Sequence, residues 1–206
     1  AMAHLNLTMI HPFSDGNGRM ARALQTFVLA REGVLDPVFA SIEEWLGANT
    51  DQYYAALADI GQGKWNPRRD ATPWVRFCLK AHYQQAATII RRNDEYELLF
   101  TAIEKVVNER KLNSRVIAPL FEAALGLRLT NARYVSLTET EAHSATRDLK
   151  LLVEAELLVA HGEKRGRFYR RSNQLAQTRN SSRLPKKFED PYELVKSERD
   201  PRLPGL

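Results

Sequence analysis

The residues best equipped for chemistry fall within twelve positions: His11, Asp15, Arg19 and Arg22, with Gly16-Asn17-Gly18 between the second and third. A histidine is neutral or charged near pH 7 and can take a proton from a hydroxyl. Asp15 is the one carboxylate of the loop, able to hold Mg²⁺ jointly with phosphate oxygens. The two glycines let backbone N–H groups approach a ligand, and a helix expected to begin near Arg19 adds the positive end of its dipole. Arg19 and Arg22, one turn apart, can face one anion. A base, a metal ligand and an anion cradle suit in-line attack of a hydroxyl on phosphorus, where positioning and charge neutralisation supply most of the rate. The plainer alternative is a glycine turn leading into a helix with a surface histidine. It needs neither the paired arginines nor Phe13.

The run His11-Pro12-Phe13-Ser14-Asp15-Gly16-Asn17-Gly18-Arg19-Met20-Ala21-Arg22 is similar to the signature HxFx(D/E)GN(G/K)RxxR of the Fic family, without a mismatch. The resemblance implies a role for each position. His11 deprotonates the target side chain, Phe13 anchors the loop in the core, and Asp15 holds Mg²⁺. Gly16, Asn17 and Gly18 bind the α- and β-phosphates, Arg19 grips the β-phosphate, and Arg22 reaches toward the γ-phosphate. It further implies AMP transfer from Mg-ATP to a Ser, Thr or Tyr hydroxyl of a protein, this chain itself included among candidate targets. Gly18 supports that form, because phosphate-transferring members resemble a version with Lys there. Family members that transfer another phosphate-containing group or remove AMP define the alternative enzyme.

About ten residues precede His11, so the resemblance places a target-aligning flap and several helices upstream, and the Fic-type helical bundle is expected to be N-terminally incomplete. Activity of this stretch alone depends on them. The family's inhibitory pattern (S/T)xxxE(G/N) finds no match: Glu32 precedes Gly33, but Val28 stands where Ser or Thr is required. Arg22 is therefore expected to lack an inhibitory partner.

The elements that must position these groups read as mainly α. Residues Ala3 to Met9 suggest a short helix. After the loop, Met20, Ala23, Leu24, Phe27 and Val28 recur at helical spacing, with Gly33 as a C-cap. Ser41 and Glu44 have capping-box spacing, with Ile42, Trp45 and Leu46 on the buried side. Thr50 or Asp51 starts a helix through Ile60, ended by Gly61-Gln62-Gly63. Thr72-Pro73 starts another to about Arg92; Asn93-Asp94 is expected to break it, and Glu95 to Lys111 resumes with Leu98, Leu99, Ile103, Val106 and Val107 inward. Trp45, Trp65 and Trp74 with Tyr53 and Tyr54 could wall a nucleotide base, but their helical spacing reads as core packing. Asn49, Tyr53 and Tyr54 fall where Fic proteins often contact adenine. His4, His82 and His161 lack metal-ligand spacing.

The expected domains are 1–112, a Fic-type core; 113–172, a small winged helix-turn-helix with a β-hairpin wing; and 173–206, a charged, proline-containing tail. In the second, helices at Val116–Leu125, Thr130–Leu137 and Ser144–Ala155 precede strands Leu157–Ala160 and Arg167–Arg170. Thr146, Arg147 and Lys150 on the third helix, with Arg165 and Arg167 on the wing, are the candidate contacts to DNA or to a protein partner. His161 to Lys187 holds nine basic residues against one acid, whereas the whole chain is only +5, so attraction for polyanions is concentrated there. The carboxylates of Glu139 and Glu141 would oppose DNA phosphates, which favours protein docking or dimerisation over DNA. A nucleotide-sensing, DNA-binding regulator remains the alternative from a different class. Composition is that of a globular protein, 44% hydrophobic and 27% charged, and no apolar run approaches the ~20 residues that cross a bilayer. A cytoplasmic protein without a membrane partner is expected. The lone cysteine, Cys78, excludes an intrachain disulfide and reads as core filler.

Overall fold

A computed structural model describes residues 1–33, 41–62, 66–187 and 190–193, apart from the side chain of Arg165. Among them the chain is mainly helical, with one two-stranded antiparallel sheet. It divides into two compact units: Ala1–Ile90 with the described residues from Lys186 onward, and Arg91–Pro185.

In the first unit, α1 (Met2–Ile10) ends at His11, whose left-handed φ of 53° turns the chain and whose N–H caps the Leu7 carbonyl. Pro12 follows and cannot extend the helix. α2 (Asn17–Arg31) starts two residues earlier than the sequence suggests, behind Gly16 at φ 83°, a conformation that glycine adopts without strain. α1 packs on α2, and the buried positions of α2 are Asn17, Ala21 and Gln25. The apolar face read from the sequence is instead open: Met20 is 47% and Phe27 61% exposed, and Val28 is exposed too. Apolar periodicity identifies a face without identifying its cover, and the face of α2 that is covered is the one carrying Ala21, which is fully buried.

α3 (Glu43–Ala48) and α4 (Thr50–Gly61) follow, with Ser41 Oγ accepting from the Glu43 N–H. Gly63 and Trp65 lie outside the described residues. Asp70 accepts from the Thr72 N–H at the start of α5 (Thr72–Glu109). This helix runs on through Asn93-Asp94, where the sequence suggests a break. Both residues are only mildly unfavourable inside a helix, and the Arg91–Glu95 pair, four residues apart, bridges the point. The core of the unit gathers Leu5, Ile42, Trp45, Leu46, Tyr53, Leu57, Ile60, Trp74, Cys78 and Ala81. Burial pushes the Cys78 thiol up to about 11, consistent with a packing role. Asp190 pairs with Lys80, and the Tyr192 hydroxyl donates to the Arg76 carbonyl, so the described end of the tail docks on α5.

In the second unit, a 3₁₀ turn at Ser114–Val116 leads into α6 (Ile117–Ala124), then α7 (Asn131–Thr138), capped by Thr130, and α8 (Ala142–Glu154). Ala145, Leu149 and Leu152 recur at helical spacing and are fully buried. β1 (Leu158–His161) pairs antiparallel with β2 (Phe168–Arg171), Leu158 opposite Arg171, each strand one residue later than read from the sequence. At Gly162 (φ 68°) a Cβ would stand 2.7 Å from the Gly166 carbonyl oxygen, so the turn requires glycine. Ser172 then caps α9 (Asn173–Ser181), whose Leu175 is buried; the first part of the expected tail is therefore a packed helix. Leu99, Ile103 and Val107 of α5 enter this core, whereas Leu98 is 48% exposed. Inside it, Asp148 accepts two bonds from Arg115 and one from Tyr134. Burial alone would raise the Asp148 carboxyl, but these donors hold it below its ordinary range.

Candidate active site

The loop between α1 and α2 is built by its own residues. Asn17 turns its buried side chain back onto Phe13, its amide donating to the Phe13 carbonyl at 2.6 Å and its oxygen accepting the Phe13 N–H at 3.0 Å. This backbone clamp holds the loop, not the Phe13 ring, which is 46% exposed; the expectation that Phe13 anchors in the core does not hold among the described residues, because no described element covers that side. The first bond of α2 runs from the Met20 N–H to the Gly16 carbonyl, and no side chain caps the helix. The N–H groups of Asn17, Gly18 and Arg19 thus lie ahead of the helical ladder, at its positive end.

Both arginines fold over this end. A Cβ on Gly16 would meet the Arg19 guanidinium at 3.6 Å, and one on Gly18 would meet Nη1 of Arg22 at 3.4 Å. Arg19 also reaches Asp15 at 3.1 Å, with both side chains at least 75% exposed. His11 is exposed at the end of α1, six residues before the start of α2. Its Nδ1 donates to the Thr8 carbonyl at 3.3 Å, so in the neutral ring Nε2 carries the lone pair. Along α2 lie two open cavities, one of about 400 Å³ lined by Phe13, Asp15, Gly16, Arg19, Met20 and Ala23, the other of about 410 Å³ bordered by Arg22, Phe27 and Glu43.

Residues 1–29 match the model of the Fic/DOC family. Over 80 residues the chain is 38% identical to a protein adenylyltransferase of Caenorhabditis elegans, an alignment taking in 39% of this chain and 13% of that protein. It is 36% identical over 80 residues to the protein adenylyltransferase Fic of Nematostella vectensis, covering 39% of this chain and 16% of the relative. For the protein adenylyltransferase Fic of Aedes aegypti the figures are 40% over 77 residues, 37% and 13%. The similarity therefore spans less than a fifth of each relative's length.

Behind the Fic/DOC segment stand groups that the sequence does not single out. Arg22 Nε pairs with Glu43 Oε1 at 2.9 Å, so Arg22 has a carboxylate partner after all, brought from α3 and unrelated to the inhibitory pattern. Tyr53 is buried as expected of a core residue, whereas Tyr54, its neighbour on α4, is 63% exposed and is not part of the core. His4, scattered by sequence spacing, is 1% exposed and bonds both Gln25 and Tyr53; burial lowers it from 6.5 to about 4. A signal existed only for Gln25, which shares a helical face with Ala21. Glu43 lies too far along the chain for spacing to connect it to Arg22, as does Tyr53 for His4. Among the described residues no cluster of three or more His, Cys, Asp or Glu could hold a metal ion, and no helix is long and apolar enough to cross a membrane.

In the second unit Thr146, Arg147 and Lys150 are all exposed on α8, and Arg167 is exposed after the hairpin turn. Their polar atoms are partly engaged. The Thr146 hydroxyl donates to the Ala142 carbonyl and accepts from Asn131, Arg147 lies 3.5 Å from Ser144, and Lys150 pairs with Glu154 at 3.7 Å. Arg165 lies outside the described side chains. Arg128 and Arg170 flank the Phe168 ring, and His161 stacks on it.

Proposed function

We propose that this chain carries the catalytic loop of a protein adenylyltransferase, transferring AMP from Mg-ATP to a Ser, Thr or Tyr hydroxyl of a protein. The hydroxyl oxygen attacks the α-phosphorus, the bond from that phosphorus to the pyrophosphate oxygen breaks, and the hydroxyl proton passes to Nε2 of His11. The supporting observation is the placement of an exposed histidine, its Nε2 left as acceptor, six residues before an uncapped helix start crossed by two arginines. The N–H groups of Asn17, Gly18 and Arg19, with the guanidinium of Arg19, would cradle the α- and β-phosphates, and Arg22 would reach the γ-phosphate. Asp15 fits a Mg²⁺ ion: one exposed carboxylate beside a phosphate cradle is what an ion sharing its ligands with substrate and water requires. The ion would neutralise charge on the polyphosphate.

Incubation with ATP labelled at the α-phosphate tests the reading. Label should appear on protein, depend on Mg²⁺ and vanish in His11→Ala. Transfer of the γ-phosphate without the α-phosphate would refute it.

The second unit reads best as a winged helix serving protein contacts. Support comes from the engaged hydroxyl of Thr146 and the Lys150–Glu154 pair on its third helix, with Glu139 and Glu141 at its start, an acidic approach unsuited to DNA phosphate.

A further inference from the structure

The hairpin of the second unit has one face in the core and one face bare. Leu158 and Tyr169, 2% and 7% exposed, belong to the core. Cross-strand partners share a face, so Val159 with Arg170 and His161 with Phe168 form the other side. The bridge between Leu129 and Tyr169 brings Arg128 beside Arg170 on that same side. Phe168 is the platform there. The Arg128 guanidinium lies 3.9 Å from its ring centroid and that of Arg170 5.6 Å, and the His161 ring stacks on it at 5.1 Å. An arginine held by its flat face keeps its N–H edge free for an acceptor. Arg110, Arg115, Arg133 and Arg171 of the same unit donate to amide, carboxylate or carbonyl oxygens. Arg128 and Arg170 have no ion pair among the described residues. Both are exposed, and Val159 opposite Arg170 is 44% exposed.

We propose that this face of the hairpin docks an acidic protein segment, its carboxylates on the N–H edges of Arg128 and Arg170 and its apolar side chains against Val159. A carboxylate matches the guanidinium fork with two hydrogen bonds. Nucleic acid would supply charge, but its phosphate backbone offers nothing to Val159, and Glu139 and Glu141 ahead of α8 oppose a polyanion. The inference deepens the protein-contact reading of this unit and is independent of AMP transfer.

Fluorescence anisotropy of a labelled peptide of glutamate, valine and serine, titrated with the full chain at low salt, tests it. Arg128→Ala and Arg170→Ala should each weaken binding about two- to fivefold, the range of an exposed ion pair. Phe168→Leu leaves the net charge unchanged and should weaken it too, because the arginines lose their platform. Lys105→Ala, which removes an exposed charge of α5, should change nothing, and the same peptide with glutamine for glutamate should not bind. Circular dichroism checks the fold of each variant; if Phe168→Leu is unfolded, Arg170→Lys, which keeps the charge without the planar fork, takes its place with the same expected loss. Unaltered affinity in the hairpin variants, or an equal loss in Lys105→Ala, overturns the docking face and leaves the unit free to meet proteins elsewhere. A DNA duplex bound more tightly than the peptide, through the same arginines, overturns the inference and the protein-contact reading together.

Discussion

Lowering the pH should destabilise the first unit well before its carboxylates titrate, because His4 is buried as a neutral ring. Its ordinary value of 6.5 becomes about 4 in the fold, mainly through burial, with the Arg22 charge acting in the same direction and the Gln25 hydrogen bond opposing. Between those values the unfolded chain binds a proton that the folded one refuses, so stability rises with pH through this window. The contribution is complete above 6.5 and is lost as pH falls toward 4. The whole difference corresponds to about 3 kcal/mol, of which about 2 kcal/mol is gone by pH 5. His82, also lowered by burial, adds with the same sign. Asp70, held low by its bonds to Thr72, acts only at more acid pH. All three tryptophans lie within the first ninety residues, and Trp74 sits edge-on to His4 at 5.1 Å between ring centroids. Tryptophan fluorescence in urea therefore reports this unit. The midpoint should fall by about 1 M from pH 7.5 to pH 5. A midpoint unchanged or higher at pH 5 would refute the assignment of His4 as a buried neutral histidine, as would an NMR titration of its ring near 6.5.

Gly16→Ala should lower the rate of AMP transfer at least tenfold, measured by label incorporation, because a Cβ at φ 83° strains the start of α2 where phosphate is held. Glu43→Gln should tighten Mg-ATP by about two- to fivefold at low salt, since this partly exposed carboxylate competes with phosphate for Arg22. The gain should shrink at high salt; calorimetry that finds weaker binding instead would mean Glu43 holds Arg22 in place. Leu149→Ala should destabilise the second unit by about 3 kcal/mol, from a position fully buried in its core; denaturation followed by circular dichroism measures it. A thiol reagent should label Cys78 only on unfolding, given 2% exposure and a thiol pushed up to about 11; rapid labelling of native protein would contradict the packing.

What the sequence made legible is what local chemistry determines. Gly16 can be read because the turn into α2 takes φ 83°, which favours glycine, and helical ends can be read from Thr130 and Ser172 because a cap bonds within three residues. Misreadings came where a distant segment decides. Met20 and Phe27 have helical spacing, yet only packing partners determine whether that face is covered, and the covered face is the one carrying Ala21. Asn93-Asp94 looks like a break because propensity is a weak prior, which the Arg91–Glu95 pair and the core contacts of Leu99 and Ile103 override. Glu43 is 21 residues from Arg22 and Tyr53 is 49 from His4. No periodicity links such positions.

The exposure of the carboxylate that pairs with Arg22 suits the phosphate-binding role proposed for that arginine. A guanidinium meant for a phosphate has to be oriented without being neutralised. A buried carboxylate would orient it strongly but cancel the charge in a medium of low dielectric, where that cancellation is hard to reverse. The carboxylate that does contact Arg22 belongs to Glu43, on the solvent side with 58% of its side chain exposed, where water and salt weaken the pair and a polyphosphate can displace it. An exchangeable partner on the solvent side leaves the charge of Arg22 available to the phosphate proposed for it.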